Sequence, residues 1–143
     1  MGLILDTSVL IADERGRFDM PGFLRRAAAG ETVIAAITAS ELLHGVERAT
    51  DMSRKARRHQ HVEQLLSLLA VVPFGLAEAR CHARLWADLA SRGMMIGPHD
   101  LQIAATARTL GYGLATINVP EFERVTGLQV VDGRPFLKEQ ESR

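Results

Sequence analysis

The most restrictive feature of this sequence is the alternation of short apolar runs with longer segments of helical periodicity. The apolar runs lack the polar alternation of a half-exposed strand, which is typical of strands buried on both faces. They cover residues 3–5, 32–37, 70–73, 113–117 and 128–131. Because helical segments separate successive strands, the pattern predicts βαβ units and a three-layer α/β/α fold with a mainly parallel sheet of about five strands.

The length and composition are those of an ordinary globular protein. We expect a single domain over residues 1–143, with a short polar tail from about Lys138. Charged residues make up 24% of the chain and balance to a formal net charge of zero. This balance argues against nonspecific coating of nucleic acid, because that affinity comes from neutralising many phosphates.

The only cysteine, Cys81, excludes an internal disulfide and a cysteine-rich zinc site. No apolar run approaches the length of a membrane span, and the N-terminus lacks the features of a signal peptide. We therefore expect a cytoplasmic protein. Trp86 and Phe23 fall within apolar helical patterns and are expected in the core.

The first strand runs directly into an acid. In LILDTS, residues 3–8, Asp6 would lie at the carboxyl end of a buried strand. Ligands of open α/β sheets bind in the crevice beyond those strand ends. Asp6 is also a good N-cap for a helix that starts at Thr7, since its side chain can accept backbone N–H groups. Taken alone, Asp6 fits both interpretations.

Polar side chains also lie near other strand ends. Glu41 belongs to TASE, a capping box that starts at Thr38 and opens the helix after the second strand. Asp100 lies in the first turn of the helix that leads to the fourth strand, and Asn118 and Glu121 follow that strand. Acids in a first helical turn are stabilised by roughly 0.3–1 kcal/mol, so each position also has a purely structural explanation.

Right-handed crossovers would bring these junctions to one edge of the sheet. Carboxylates gathered there repel one another unless a cation compensates them. Hard oxygen ligands, without cysteines or an obvious histidine pair, suit Mg²⁺ or Mn²⁺. Such ions lower the pKa of a bound water, and two of them about 3.5–4 Å apart can clamp the oxygens of a phosphodiester. The pattern therefore predicts a metal site for phosphodiester cleavage.

Three motifs occur in order along the chain: LILDTSVLI, ITASELLHGV and GPHDLQIAATARTLGYGLATINVPEFERVTGLQVVD. This ordered set resembles the PIN-domain ribonucleases, and most closely the VapC toxins of bacterial toxin–antitoxin pairs. The resemblance implies that Asp6, Glu41 and Asp100 gather the catalytic Mg²⁺, with Asp6 and Asp100 as the most direct ligands. Glu41 would hold the metal or orient its water. Thr7 and Thr116 fall where the family often has a hydroxyl that hydrogen-bonds the acids.

The chain departs from the family pattern after the fourth strand. Asn118 stands where many PIN domains have an aspartate, and Glu121 stands where many VapC-like chains have an acid. An asparagine offers a neutral oxygen but no charge, which weakens the case for a second permanently bound metal. A second Mg²⁺ could arrive with the substrate phosphate. We expect Asn118 to belong to the site, whereas the role of Glu121 stays open.

A basic run, SRKARRHQH over residues 53–61, is the other candidate functional feature. Its cations are Arg54, Lys55, Arg57 and Arg58. They are equally consistent with a solvated helix face and with a surface that holds RNA beside an acidic pocket. The same cations could also meet an acidic segment of a protein partner.

These observations lead to the hypothesis of a metal-dependent endoribonuclease of the VapC type. A water activated by Mg²⁺, or by Mn²⁺ in its place, would attack the phosphodiester in line and leave 5′-phosphate and 3′-hydroxyl ends. The resemblance further implies a VapB-like antitoxin whose tail enters the acidic groove, and a homodimer. Two alternatives remain: a binding module that has lost catalysis, of which Asn118 would be a sign, and a Mg²⁺-dependent phosphatase. The phosphatase is disfavoured because LILDTS lacks a second acid two residues after Asp6.

Overall fold

The computed structural model describes residues 2–28 and 30–139, which form an α/β fold around a five-stranded sheet. The strands are β1 (Leu3–Leu5), β2 (Thr32–Ala35), β3 (Ala70–Val72), β4 (Gly113–Thr116) and β5 (Val130–Asp132). All neighbouring strands pair in parallel, in the order β3-β2-β1-β4-β5. The predicted fold class is therefore confirmed.

Helices connect the strands and cover both faces of the sheet. They are α1 (Thr7–Glu14), α2 (Met20–Ala27), α3 (Ala36–Glu47), α4 (Met52–Leu68), α5 (Leu76–Ser91), α6 (Pro98–Leu110) and α7 (Val119–Phe122). A 3₁₀ turn follows β5 at Arg134–Phe136. Within the described part of the chain, no helix combines the length and apolar character needed to cross a membrane.

The two cores lie on opposite faces of the sheet, because successive residues of a strand point in opposite directions. Ile4 of β1 packs in the core formed with α5 and α6. Its neighbours Leu3 and Leu5 pack in the other core, to which α1, α2, α3 and α4 contribute. The two helical layers follow from right-handed crossovers, since the chain moves outward from β1 to β3 and then returns to form β4.

The reversal of strand order places a crevice between β1 and β4. The chain leaves β1 toward β2 on one side and comes back to β4 on the other, so the connections diverge at this point. In open α/β sheets, such a switch point is where ligands bind beyond the carboxyl ends of the strands. Residues just after β1 and β4 are therefore positioned to form a site.

Several local predictions were wrong. The second strand ends at Ala35 rather than at residue 37, because α3 already begins at Ala36. Thr38 is consequently inside the helix, and it does not open a capping box with Glu41. The fifth strand begins at Val130, two residues later than expected.

The core prediction was correct for one aromatic residue and wrong for the other. Phe23 is fully buried on α2, whereas Trp86 is 54% exposed on α5. The buried stripe of α5 consists of Cys81, Leu85 and Leu89, at spacings of four residues. Trp86 lies off this stripe and packs edge to face against His82.

The extent of the single domain stays a prediction. Close to the start of the expected polar tail, the backbone N–H of Lys138 donates a hydrogen bond to the carbonyl of Arg17. Residues 140–143 of that tail lie outside the described residues.

Candidate active site

Asp6 lies directly after β1, at the switch point, and only 3% of its surface is exposed. It occupies the N-cap position of α1, but its side chain makes no capping hydrogen bond. Instead, its Oδ2 accepts hydrogen bonds from Ser8 Oγ at 2.5 Å and from Thr116 Oγ1 at 2.8 Å. The carboxylate is thus fixed by one hydroxyl from α1 and one from the end of β4.

Burial raises the pKa of Asp6 above its ordinary value. Hydrogen bonds from Ser8 and Thr116 lower this pKa in part, while the negative charge of Glu41 raises it further. Because the net effect is a raised pKa, ionisation of Asp6 costs more free energy than ionisation of an exposed aspartate. A positive charge placed beside the carboxylate would offset that cost.

Glu41 reaches the same region from the second turn of α3, not from the first turn as the sequence suggested. Its Oε1 accepts a hydrogen bond from Thr7 Oγ1 at 2.8 Å. The Thr7 hydroxyl also lies 3.1 Å from Thr38 Oγ1, and Thr38 is completely buried. His99 Nδ1 is 3.5 Å from the other carboxylate oxygen of Glu41. Residues at the starts of α1, α3 and α6 therefore hold this glutamate.

Asp100 lies in the first turn of α6, as predicted. Burial is the main cause that raises its pKa, to about 7, followed by a hydrogen bond with Glu121 and by the charges of Glu121, Asp6 and Glu41. Asp100 therefore keeps a proton to a much higher pH than an ordinary aspartate does. The four carboxyl groups act on one another, which places them in one acidic cluster.

Glu121 connects this cluster to the residue before α6 and to the residue before α7. Its Oε1 accepts a hydrogen bond from the N–H of Gly97 at 2.8 Å, just before α6. Its Oε2 accepts a short hydrogen bond from Asn118 Nδ2. The N–H of Asn118 donates to Thr116 Oγ1 at 2.8 Å, so one hydroxyl serves both Asn118 and Asp6.

The acidic cluster, defined as Asp6, Glu41, Asp100 and Glu121, thus contains the acids identified from sequence. Thr7 and Thr116 contact it as expected, and Asn118 contacts Glu121. The sequence argument missed Ser8, although a hydroxyl two residues after an acid, at a helix start, is a recognisable signal for such a bond. The catalytic and metal-binding roles of all these residues stay predictions.

The four predicted RNA-binding cations lie at the start of α4. Arg54 and Arg57 are exposed. Lys55 Nζ lies 3.6 Å from a carboxylate oxygen of Glu47. Arg58 donates to Glu14 Oε1 at 3.3 Å and to the carbonyl of Gly45 at 3.2 Å.

The donor set fits a hard divalent cation. Among residues 2–28 and 30–139, no three His, Cys, Asp or Glu side chains are already arranged to hold a metal ion. Mg²⁺ does not require such a cage, because it keeps several waters and uses one or two carboxylates. Burial is the main cause of the raised pKa values of Asp6 and Asp100, and the neighbouring carboxylates raise both values further, as expected where no cation compensates them.

Comparisons with known proteins identify the family of this chain. The family model for the PIN domain matches residues 3–128. Ribonuclease VapC1 of Rickettsia felis is 40% identical over 92% of this chain and 96% of its own length. The tRNA(fMet)-specific endonuclease VapC of Shigella flexneri is 32% identical, over 90% and 96%.

A solved structure, DNA-bound VapBC from Salmonella typhimurium, superposes with a TM-score of 0.82 and 28% identity, covering 92% of this chain and 98% of that one. Taken with the fold and the acidic cluster, these matches show that the chain belongs to the PIN domain family and, within it, to the VapC ribonucleases.

Replacing Thr116 by valine is expected to weaken both the site and the fold. The change removes the donor to Asp6 and leaves the Asn118 N–H without its acceptor, which costs about 1–3 kcal/mol of unfolding free energy. Loss of a group that orients a metal ligand typically reduces activity about 10–100-fold. Chemical denaturation and RNA cleavage assays measure the two effects.

Thr106→Val is the matched control for this change. Thr106 is equally buried, but its hydroxyl bonds only the carbonyl of Gln102 within α6. Cleavage lost equally in both variants would contradict the specific role of Thr116.

Proposed function

We propose that this chain is a divalent-metal-dependent endoribonuclease toxin that a cognate antitoxin inhibits. The observation that carries the proposal is the acidic cluster at the switch point, where burial and then the neighbouring carboxyl groups raise the pKa of Asp100 to about 7. Relatives named as ribonucleases and as a tRNA(fMet)-specific endonuclease support RNA as the substrate.

Asp6 and Asp100 are the proposed ligands of Mg²⁺ or Mn²⁺, and Glu41 either completes the site or orients a water. The ion, when bound, lowers the pKa of a water and offsets the negative charge of the phosphate. Ser8 and Thr116 hold Asp6 in place through their hydroxyls, and Thr7 holds Glu41. Asn118 and Glu121 support the site from the loop after β4.

The proposed reaction is hydrolysis by in-line attack. The water oxygen bonds to phosphorus as the bond between phosphorus and O3′ breaks, and a proton passes to O3′. The products carry a 5′-phosphate and a 3′-hydroxyl. Glu41 is suited to accept the proton of the attacking water, because it lies in the cluster and is already oriented by Thr7 and His99.

The proposed partners are a VapB-like antitoxin and a second copy of the chain. The solved VapBC structures similar to this chain support the first of these. An antitoxin that covers the acidic cluster with a cationic side chain would neutralise the same repulsion that a metal ion relieves.

The proposal is tested with the purified chain, freed of any antitoxin, on total cellular RNA. We expect cleavage at a small number of sites with Mg²⁺ or Mn²⁺, no cleavage with excess chelator, and 5′-phosphate ends on the products. Cleavage that survives the chelator would refute the metal requirement. A folded, metal-binding protein that cuts no RNA would instead indicate a binding module that has lost catalysis.

A further inference from the structure

Three adjoining cavities form a groove on the side of the sheet covered by α1, α3 and α4. The first, about 320 Å³, lies beside the acidic cluster and includes Glu41 and His99 in its wall. The last, about 560 Å³, lies over the start of α4. A small middle cavity shares Glu41 with the first and Arg58 with the last, and Arg48 lines all three. The groove therefore runs from the acidic cluster to the basic start of α4.

Helical periodicity explains why these side chains face one groove. Glu41 and Arg48 are seven positions apart on α3 and its C-cap, which puts them on the same side about 10 Å apart along the axis. On α4, Arg57 and His61 lie three and seven residues after Arg54, which puts the three side chains on one side of the helix. The basic run in the sequence thus contains a one-sided stripe.

The arginines of this groove differ in whether their side chains already have partners. Arg58 is held by Glu14 and by the carbonyl of Gly45. The side chains of Arg48, Arg54 and Arg57 are exposed, and within the described part of the chain none makes a hydrogen bond or an ion pair. These three guanidinium groups are consequently available to an anionic ligand.

We propose that this groove binds the RNA backbone on one side of the cleaved bond, with phosphates contacting Arg48, Arg54 and Arg57. This inference rests on the proposed nuclease function. RNA fits better than an acidic protein segment, because the groove opens at the acidic cluster, where the scissile phosphate would sit. An acidic peptide that followed the groove to this end would meet the carboxylate of Glu41 without a compensating ion.

The test compares two double variants that each remove two exposed arginines from one helix. Arg54→Ala/Arg57→Ala changes the groove, whereas Arg80→Ala/Arg84→Ala changes α5, which packs on the opposite face of the sheet. The logarithm of RNA affinity falls linearly with the logarithm of salt concentration, and each phosphate contact to a single strand adds about 0.7 to the steepness of that line. Because the groove variant lacks two such contacts, we expect its salt dependence to be less steep by about 1.4. We also expect it to bind RNA roughly 20-fold more weakly at about 0.1 M salt. The α5 variant is expected to match the unmodified chain.

Substrate length provides a second readout. The cleavage defect of the groove variant is expected to be full on a long RNA and absent on a short oligonucleotide that spans only the cleaved bond. Arg48→Ala is expected to behave in the same way, with a smaller defect. Equal salt slopes and equal cleavage for the two double variants would overturn the proposal and favour a protein occupant. Failure of the unmodified chain to cut any RNA would refute the nuclease function itself, so the two failures are distinguishable.

Discussion

Asp6→Asn is expected to lower the rate of RNA cleavage by about a thousandfold without unfolding the chain. The substitution removes the negative charge of a proposed metal ligand. A bound ion contributes several kcal/mol of charge stabilisation in the transition state, and a thousandfold loss of rate corresponds to about 4 kcal/mol. The fold should persist because asparagine has the same shape and can still accept hydrogen bonds from Ser8 and Thr116. Single-turnover cleavage and thermal unfolding test the two halves of this prediction.

The stability of this variant is expected to equal or exceed that of the unmodified metal-free chain. Burial raises the pKa of Asp6, so its ionised form costs free energy at neutral pH, and a neutral amide avoids that cost.

Asp13→Asn is the matched control. Asp13 is an aspartate within α1 whose pKa, like that of Asp6, is raised mainly by burial, but its charged neighbours are His61 and Lys138 rather than the acidic cluster. A similar loss of cleavage in this control would show that removal of any buried charge near α1, and not the loss of a metal ligand, is responsible.

Asp100→Asn is expected to abolish cleavage to a similar extent and to change how stability depends on pH. The pKa of Asp100 is raised from 3.8 to about 7 in the folded chain. Between these values the folded state binds more protons than the unfolded state, so the free energy of unfolding falls as pH rises through this window. The stabilisation that protonated Asp100 contributes to the free energy of unfolding is fully present below pH 3.8 and is lost above about pH 7.

The half-buried position of Asp100 reduces the size of this effect through solvent screening. We expect a contribution of about 1–2 kcal/mol, measured as the difference in pH slope between the unmodified chain and Asp100→Asn without metal. A saturating divalent cation should remove the slope in the unmodified chain, because metal binding displaces the proton. Identical pH profiles for the two proteins, with and without metal, would contradict the account.

The sequence predicted the parts of the site that depend on topology. Asp6 and Asp100 each lie next to a strand or helix boundary, so knowing the order of elements was enough to bring them to one edge. Glu41 was identified correctly as a member of the cluster but by a wrong local argument. Its helix begins at Ala36, and Thr38 serves as a buried hydroxyl beside Thr7 rather than as a cap.

The features that the sequence missed depend on side-chain contacts between distant segments. Thr116 was expected near the acids, but its second bond, from the N–H of Asn118, requires the exact path of the loop after β4. Arg48 was not selected because it lies outside the basic run, and its place in the groove follows from the crossing of α3 and α4 beside α1. Trp86 was wrongly expected in the core. Alanines lie on two sides of α5, so the apolar pattern did not identify which side of the helix is buried.

The central claim is that the acidic cluster is the divalent-metal site of an RNA-cleaving enzyme. The most direct measurement is anomalous scattering from a crystal of the chain soaked in Mn²⁺, with RNA cleavage assayed in the same ion. We predict a manganese peak between Asp6 and Asp100 that is absent in the Asp100→Asn variant. Manganese-dependent cleavage with no ion at the cluster, or with the ion bound elsewhere, would contradict this assignment.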